Sequence, residues 1–270
     1  MGNCFHNYEC ASGGHGYCLG YCPHDAHPYV EGCTVIVLRS IVFNIVFYMN
    51  LILFLVFGAW LLACPRIWAI RGLQLWARSS LWWLKVICNV HMEVRGREHL
   101  MDGPCLVAGK HQSFWETFAI LPLFNDPCMV LKRELTFIPL FGWFALKFKM
   151  IAVERSAGSA ALRKLVARAK EEVARGRPII IMPEGTRRNP GDAPDYKPGA
   201  AALYNALGLP CLPFGLNSGV FWPRRKFWRK PGTIVIEFLP AIPAGLNRKA
   251  FQIQMEKAIE ASSDRLFAET

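Results

Sequence analysis

Cys105-Leu106-Val107-Ala108-Gly109-Lys110-His111-Gln112-Ser113-Phe114-Trp115-Glu116 is where the fold becomes legible. Cys105–Ala108 is an unbroken apolar run with no polar face, the pattern of a strand buried on both sides. Gly109 interrupts it, and Ser113-x-x-Glu116 then has the spacing of a capping box, which opens a helix. Further short apolar runs at Cys128–Leu131, Ile151–Val153, Ile179–Met182 and Ile234–Phe238 read as strands. Helical patterns alternate with them. In Ser159–Arg175 the residues Leu162, Leu165, Val166, Ala169 and Val173 share one face, Gly176 suits the C-cap and Pro178 prevents continuation. A second helix is expected over Ala200–Leu207 and an amphipathic one over Asn247–Phe267. There is no internal repeat. The expected fold class is α/β, a mainly parallel sheet flanked by helices.

Upstream of this domain the chain changes character twice. Residues 1–33 carry no Lys or Arg and hold Cys4, Cys10, Cys18, Cys22 and Cys33 among Gly, His and Tyr. Cys18, Cys22, His24 and His27 offer thiolate and imidazole donors, but their spacing matches no common zinc signature, so a disordered leader is expected. Met1-Gly2-Asn3-Cys4 begins like a lipidation signal, yet His6 stands where myristoylation takes Ser or Thr. From Val35 to Cys64 the sequence is strongly apolar, long enough to cross the ~30 Å hydrocarbon core and too long for a signal peptide. After Pro65, the residues Arg66, Trp68, Arg71, Trp76, Arg78, Trp82, Trp83 and Lys85 have the density of a membrane interface. A spanning helix and a hairpin in one leaflet both satisfy this pattern. The basic residues follow the apolar run, which puts the domain behind them on the cytoplasmic side. The expected organisation is a Cys/His-rich leader over 1–33, a membrane helix or helical hairpin over 34–88, and an α/β domain over 89–270.

Composition bounds the partners. Of 270 residues 53% are hydrophobic and 19% charged, with 9 Trp and 18 Phe, an apolar balance that points to membrane contact. A net charge of +11 suits an anionic bilayer, a phosphorylated substrate or nucleic acid, and does not choose among them. Cys64, Cys88, Cys105, Cys128 and Cys211 stand singly, as small buried hydrophobes of a reducing compartment do. The loop Phe221–Lys230 is basic and aromatic, and reads either as a contact to anionic lipid or coenzyme A phosphates, or as a solvated turn.

Two stretches carry chemistry. His111 is followed five residues later by Glu116, a general base with a carboxylate that can fix its tautomer and stabilise the imidazolium. Glu116 could equally serve only as the capping-box carboxylate for Ser113. The second stretch, Met182-Pro183-Glu184-Gly185-Thr186-Arg187-Arg188, also leaves a buried strand, and Arg187 offers a fork matched to phosphate. In an open α/β sheet, sites gather at the C-terminal ends of strands.

Together these segments resemble the bacterial 1-acylglycerol-3-phosphate acyltransferases of the glycerolipid acyltransferase superfamily. Four blocks run in the family's order: His111 to Glu116 for His-x4-Asp; Lys132-Arg133-Glu134-Leu135 through Phe141-Gly142-Trp143 to Val153-Glu154-Arg155; Pro183-Glu184-Gly185-Thr186-Arg187 complete; and Leu212-Pro213-Phe214. Glu116 departs from the usual Asp by one methylene. The resemblance implies acyl transfer from a thioester, on coenzyme A or acyl carrier protein, to the sn-2 hydroxyl of lysophosphatidic acid, with no cofactor and no metal. It implies that His111 is the base, Glu116 its orienting group, and Arg155, Arg187, Glu184, Gly185 and Thr186 the hold on the glycerophosphate head, with Lys132 secondary. Backbone N–H groups after His111 are expected at the developing oxyanion. The partners implied are a lysophospholipid, a thioester donor and the bacterial inner membrane, with no nucleic acid.

Three other readings are open to the sequence. A lyso-ornithine lipid is the alternative acceptor. A basic nucleic-acid-binding module would account for the charge but lacks a recognised motif. A serine hydrolase is disfavoured because in Gly215-Leu216-Asn217-Ser218-Gly219 the serine is one place out of the G-x-S-x-G register.

Overall fold

In the computed structural model residues 27–154 and 158–270 are described, with side chains from Thr34 onward. The Cys/His leader and Arg155 therefore lie outside the residues whose side chains are described. Helix α1 (His27–Phe57) and helix α2 (Arg66–Cys88) form an antiparallel hairpin. Asn50 Nδ2 donates to Ser79 and Ser80 Oγ at 2.9 and 3.0 Å, and the rings of Phe47 and Trp76 stand 5.8 Å apart. The apolar run read as Val35–Cys64 thus breaks after Phe57, passes through a short 3-10 turn at Ala59–Leu62, and restarts beyond Pro65. Pro65 lacks an N–H and so sits where helix α2 needs none.

Seven strands follow: β1 (Val90–Arg95), β2 (Leu106–Gly109), β3 (Cys128–Lys132), β4 (Ile151–Val153), β5 (Ile179–Ile181), β6 (Cys211–Leu216) and β7 (Gly232–Phe238). Between and after them lie α3 (Glu116–Ala119), α4 (Phe141–Lys147), α5 (Gly158–Val173), α6 (Gly199–Leu207), α7 (Ser218–Phe221) and α8 (Arg248–Ala268). The sheet order is β1-β7-β6-β2-β5-β3-β4, and every neighbouring pair is parallel except β6 with β7. From β2 the chain builds one wing, returns as β5 beside β2, then crosses to build the other wing. The strand ends at the crossover lie side by side there.

Alternation along β2 shows why its sequence has no polar face. Leu106 and Ala108 pack with Leu165, Ala201, Tyr204 and Met255 of the helices on one side. Cys105 and Val107 pack with Ile120, Phe124 and Phe238 on the other. Burial drives the thiol of Cys105 up to about 11 and that of Cys128 up to about 12, so both act as apolar filler. Asn247 Oδ1 accepts from Ala250 N at 2.9 Å and caps α8, whose buried Phe251, Met255 and Ile259 lie four residues apart on the sheet side.

Two strands escaped the pattern reading. β1 alternates polar and apolar residues and sits at the sheet edge beside β7. β6 is central but carries Pro213, which normally argues against a central strand. Pro213 is tolerated because its carbonyl accepts from Leu239 N at 2.9 Å, while its missing donor falls just past the end of β7.

Candidate active site

The C-terminal ends of β6, β2 and β5 are adjacent, and the turns leaving them meet. Arg188 N donates to the carbonyl of His111 at 2.7 Å, which binds the turn after β5 to the turn after β2. Gly219 N donates to Gln112 Oε1 at 3.0 Å, which binds the turn after β6 to the same place.

His111 and Glu116 are in direct contact, with Nδ1 2.8 Å from Oε1. The same oxygen accepts from the backbone N–H of Gln112 and of Ser113, both at 2.7 Å. Glu116 thus makes both the capping bond and the histidine bond. Oε2 accepts from Ser218 Oγ at 2.8 Å. The Glu116 side chain is fully buried and that of His111 is 15% exposed. An ionised carboxylate only accepts, so this network assigns the proton to Nδ1 of His111. Nε2 then carries the lone pair and is the atom able to take a proton from a substrate hydroxyl. Ser218 is buried and engaged with Glu116, so it is no nucleophile.

The turn after β5 is built differently. Gly185 takes φ 64° and donates to Met182 O at 2.9 Å, a tight turn in a region that side chains avoid. Glu184 is buried beneath it, with Oε1 3.3 Å from Lys110 Nζ. Burial pushes the Glu184 carboxyl above its ordinary range, against the pull of Lys110. Lys110 also meets both oxygens of Glu260 on α8, at 2.7 and 2.8 Å, and Tyr196 OH donates to Glu260 at 2.7 Å. Glu184 therefore joins an internal ion network and not the surface. Thr186 and Arg187 are half-buried, and Arg187 has no ion-pair partner among the described residues. Arg188 is committed to Asp195.

The remaining expected site residues are more dispersed. Lys132 ends β3, is half-exposed, and pairs with Glu134 at 3.0 Å. Pro213 is buried within β6, opposite Ala108 in the parallel register with β2. The expected oxyanion amides narrow considerably. Those of Gln112 and Ser113 go to Glu116, and that of Trp115 donates to Ser113 Oγ at 3.0 Å.

Residues 91–217 match the family model described as Acyltransferase, and that span holds all four blocks and the His111–Glu116 pair. The matched span is a domain of the Acyltransferase type. It is 39% identical over 171 residues to a 1-acyl-sn-glycerol-3-phosphate acyltransferase of Pseudomonas aeruginosa, covering 63% of this chain and 66% of that one. It is 30% identical over 133 residues to a lyso-ornithine lipid O-acyltransferase of the same organism, covering 49% and 50%. The chain thus spans just under two thirds of the first relative's length and half of the second's. Its fold matches the crystal structure of the 1-acyl-sn-glycerophosphate acyltransferase PlsC of Thermotoga maritima, with TM-score 0.73, 19% identity, and coverage of 86% of this chain and 98% of that one. That likeness bears out the expected glycerolipid acyltransferase type of α/β fold.

Within this acyltransferase domain, sequence reasoning missed three contributors. Ser218 holds Glu116, Gln112 holds Gly219, and Lys110 joins the β5 turn to α8. Lys110 and Gln112 flank His111, and their adjacency was the available signal. Ser218 lies 102 positions from Glu116 and gave no signal except its place beyond a buried apolar segment.

Proposed function

We propose that this protein transfers an acyl group from a thioester, acyl-coenzyme A or acyl carrier protein, to the sn-2 hydroxyl of lysophosphatidic acid, forming phosphatidic acid. The observation that carries the reading is the His111 Nδ1 contact to a fully buried Glu116. The acceptor hydroxyl gives its proton to Nε2 of His111 as its oxygen attacks the thioester carbonyl carbon. A C–O bond forms and the carbonyl becomes an oxyanion. Collapse breaks the C–S bond, and the departing thiolate takes the proton from Nε2. Glu116 keeps the ring oriented and stabilises its charged form; base catalysis of this kind supplies about 10²–10⁴ in rate. Arg187 holds the acceptor phosphate with Gly185 and Thr186, assisted by Lys132 and by Arg155. Glu184 supports that turn from beneath. No cofactor or metal enters the scheme.

The hairpin is read as a one-leaflet anchor. Arg71, Arg78 and Lys85 recur every seventh residue along α2 and are exposed. Trp68, Leu75 and Trp82 form an exposed apolar stripe beside them. A cationic stripe along a whole helix suits a helix lying in the interface and not one crossing hydrocarbon. In α1, Phe43, Phe47 and Phe54 pack against Trp222, Phe118 and Phe144 of the domain, while Leu38, Ile45, Ile52 and Phe57 are exposed. A helix apolar all round yet covered on one stripe is explained by lipid on the other. The domain faces the cytoplasm, where soluble thioester donors are available, and the membrane is read as the bacterial inner membrane.

The test is acyl transfer by membranes carrying the protein, with lysophosphatidic acid and an acyl thioester, beside His111→Ala. Phosphatidic acid from the wild type and none from the variant is expected. Product only from lyso-ornithine lipid would move the acceptor assignment to that lipid, and no product from either would overturn the reading.

A further inference from the structure

Ser218 belongs to none of the four blocks, yet it touches the carboxylate on which His111 depends. Oε1 of Glu116 takes three N–H donors, all from residues 111–113 of its own turn. Those bonds fix one oxygen and leave the carboxylate able to swing about it. Oε2 is met from another strand end, by Ser218 Oγ at 2.8 Å, and Ser218 is fully buried.

Ser218 is itself held firmly. Asn217 Oδ1 accepts from Val235 N at 2.8 Å, and Asn217 Nδ2 donates to Thr270 Oγ1 at 3.3 Å. Gly219 N is bonded to Gln112 Oε1, and a Cβ at Gly219 would stand 2.8 Å from Pro190 Cδ and 3.0 Å from Gln112 Cβ. Only glycine permits this approach of the β6 turn to the β2 turn.

We propose that Ser218 is a positioning residue that fixes the plane of the Glu116 carboxylate and, through it, the ring of His111. The inference rests on the acyl-transfer reading. Glutamate has one more rotatable bond than aspartate, so its far oxygen gains more from an external restraint. A fourth donor also spreads the charge of a carboxylate withheld from water.

The experiment measures kcat and KM for the lysophospholipid with wild type, Ser218→Ala, Ser218→Thr, Glu116→Ala and the double variant Glu116→Ala with Ser218→Ala, with thermal melts alongside. Ser218→Ala is expected to lower kcat by about tenfold or more, the loss of one hydrogen bond to a charged group, and to leave KM within about twofold. Ser218→Thr restores the hydroxyl and should recover most of the rate. In the Glu116→Ala background the serine should no longer matter, because residues acting as a unit are not additive. A Ser218→Ala rate within about twofold of wild type, or an equal loss without Glu116, overturns the proposal. If Ser218→Ala does not fold, Ser218→Cys keeps the size with a weak donor; an intermediate rate supports the role and full activity overturns it. A wild type inactive on every lysophospholipid overturns the acyl-transfer reading and this inference with it, whereas an active enzyme indifferent to Ser218 overturns this inference alone.

Discussion

The turn after β2 and the turn after β5 sit side by side and solve opposite problems. In the first, the functional carboxylate is saturated: Glu116 accepts four bonds, and nothing about it is left to substrate. In the second, buried Glu184 faces Lys110 at 3.3 Å, and Arg187 stands without an ion-pair partner among the described residues. On the proposed function, the difference separates a turn that would perform chemistry from a turn that would recognise the acceptor. A base must be preorganised before substrate arrives, whereas a phosphate ligand must have its charge still available.

The largest effect should come from the saturated turn. His111→Ala is expected to remove at least about 10²–10⁴ of the transfer rate while leaving vesicle binding unchanged. Retained turnover would break the division between the turns. Next is Lys110→Met, which strands Glu184 in the interior and takes the ion pair from the partly exposed Glu260. Losing one partner of a buried ion pair costs about 3–5 kcal/mol, so a large drop in melting temperature is expected. Adding Glu184→Gln should recover part of it. Arg187→Ala should raise KM for a phosphate-bearing acceptor by about 10–100-fold, with a smaller change in kcat. Equal loss in both would place Arg187 in the chemistry and erase the contrast.

The smallest effect concerns the support beneath β5. Arg177, fully buried ahead of that strand, pairs with Glu172 at 2.7 Å and with Asp126 at 3.0 Å, and Arg66 completes the cluster. Burial opposes ionisation of Asp126, but Arg66 and Arg177 together outweigh it and hold the carboxyl below its ordinary range. A depressed carboxylate stabilises the fold fully above the unfolded value of 3.8, and that contribution is lost as pH falls through the lower folded value. Asp126→Asn should therefore cost about 1–2 kcal/mol at neutral pH and flatten the acid limb of the stability curve. An unchanged acid limb would show that the β5 support is indifferent to this charge.

Much of this was legible in advance, for identifiable reasons. The unbroken runs at β2 and β5 declared a parallel sheet because strands buried on both faces have no polar positions to mislead, and β3 and β4 showed the same short apolar runs although they are less buried. Helix α5 declared itself by period and by its Gly176 stop. The edge strand β1 carries His91, Glu93 and Arg95 between its apolar residues and so lacks the unbroken run of a buried strand, and Pro213 disguised β6. His111, Glu116 and Arg187 were legible as candidates because their residue types suit the proposed roles wherever they sit. Glu184 entered as a ligand only through the family resemblance, and its surroundings give it an internal partner.

Sequence alone determined the class of fold, the extent of the N-terminal apolar segment, and the residue types available for a base and a phosphate site. Each follows from local pattern: burial period, apolar length, and side-chain chemistry. The tertiary structure decided which of those residues act together. Ser218 reaches Glu116 across 102 positions, and Lys110 reaches Glu260 across 150, because β6 pairs with β2 and α8 packs against β6. Contacts of that separation are set by sheet order and helix packing, which no local window of sequence contains.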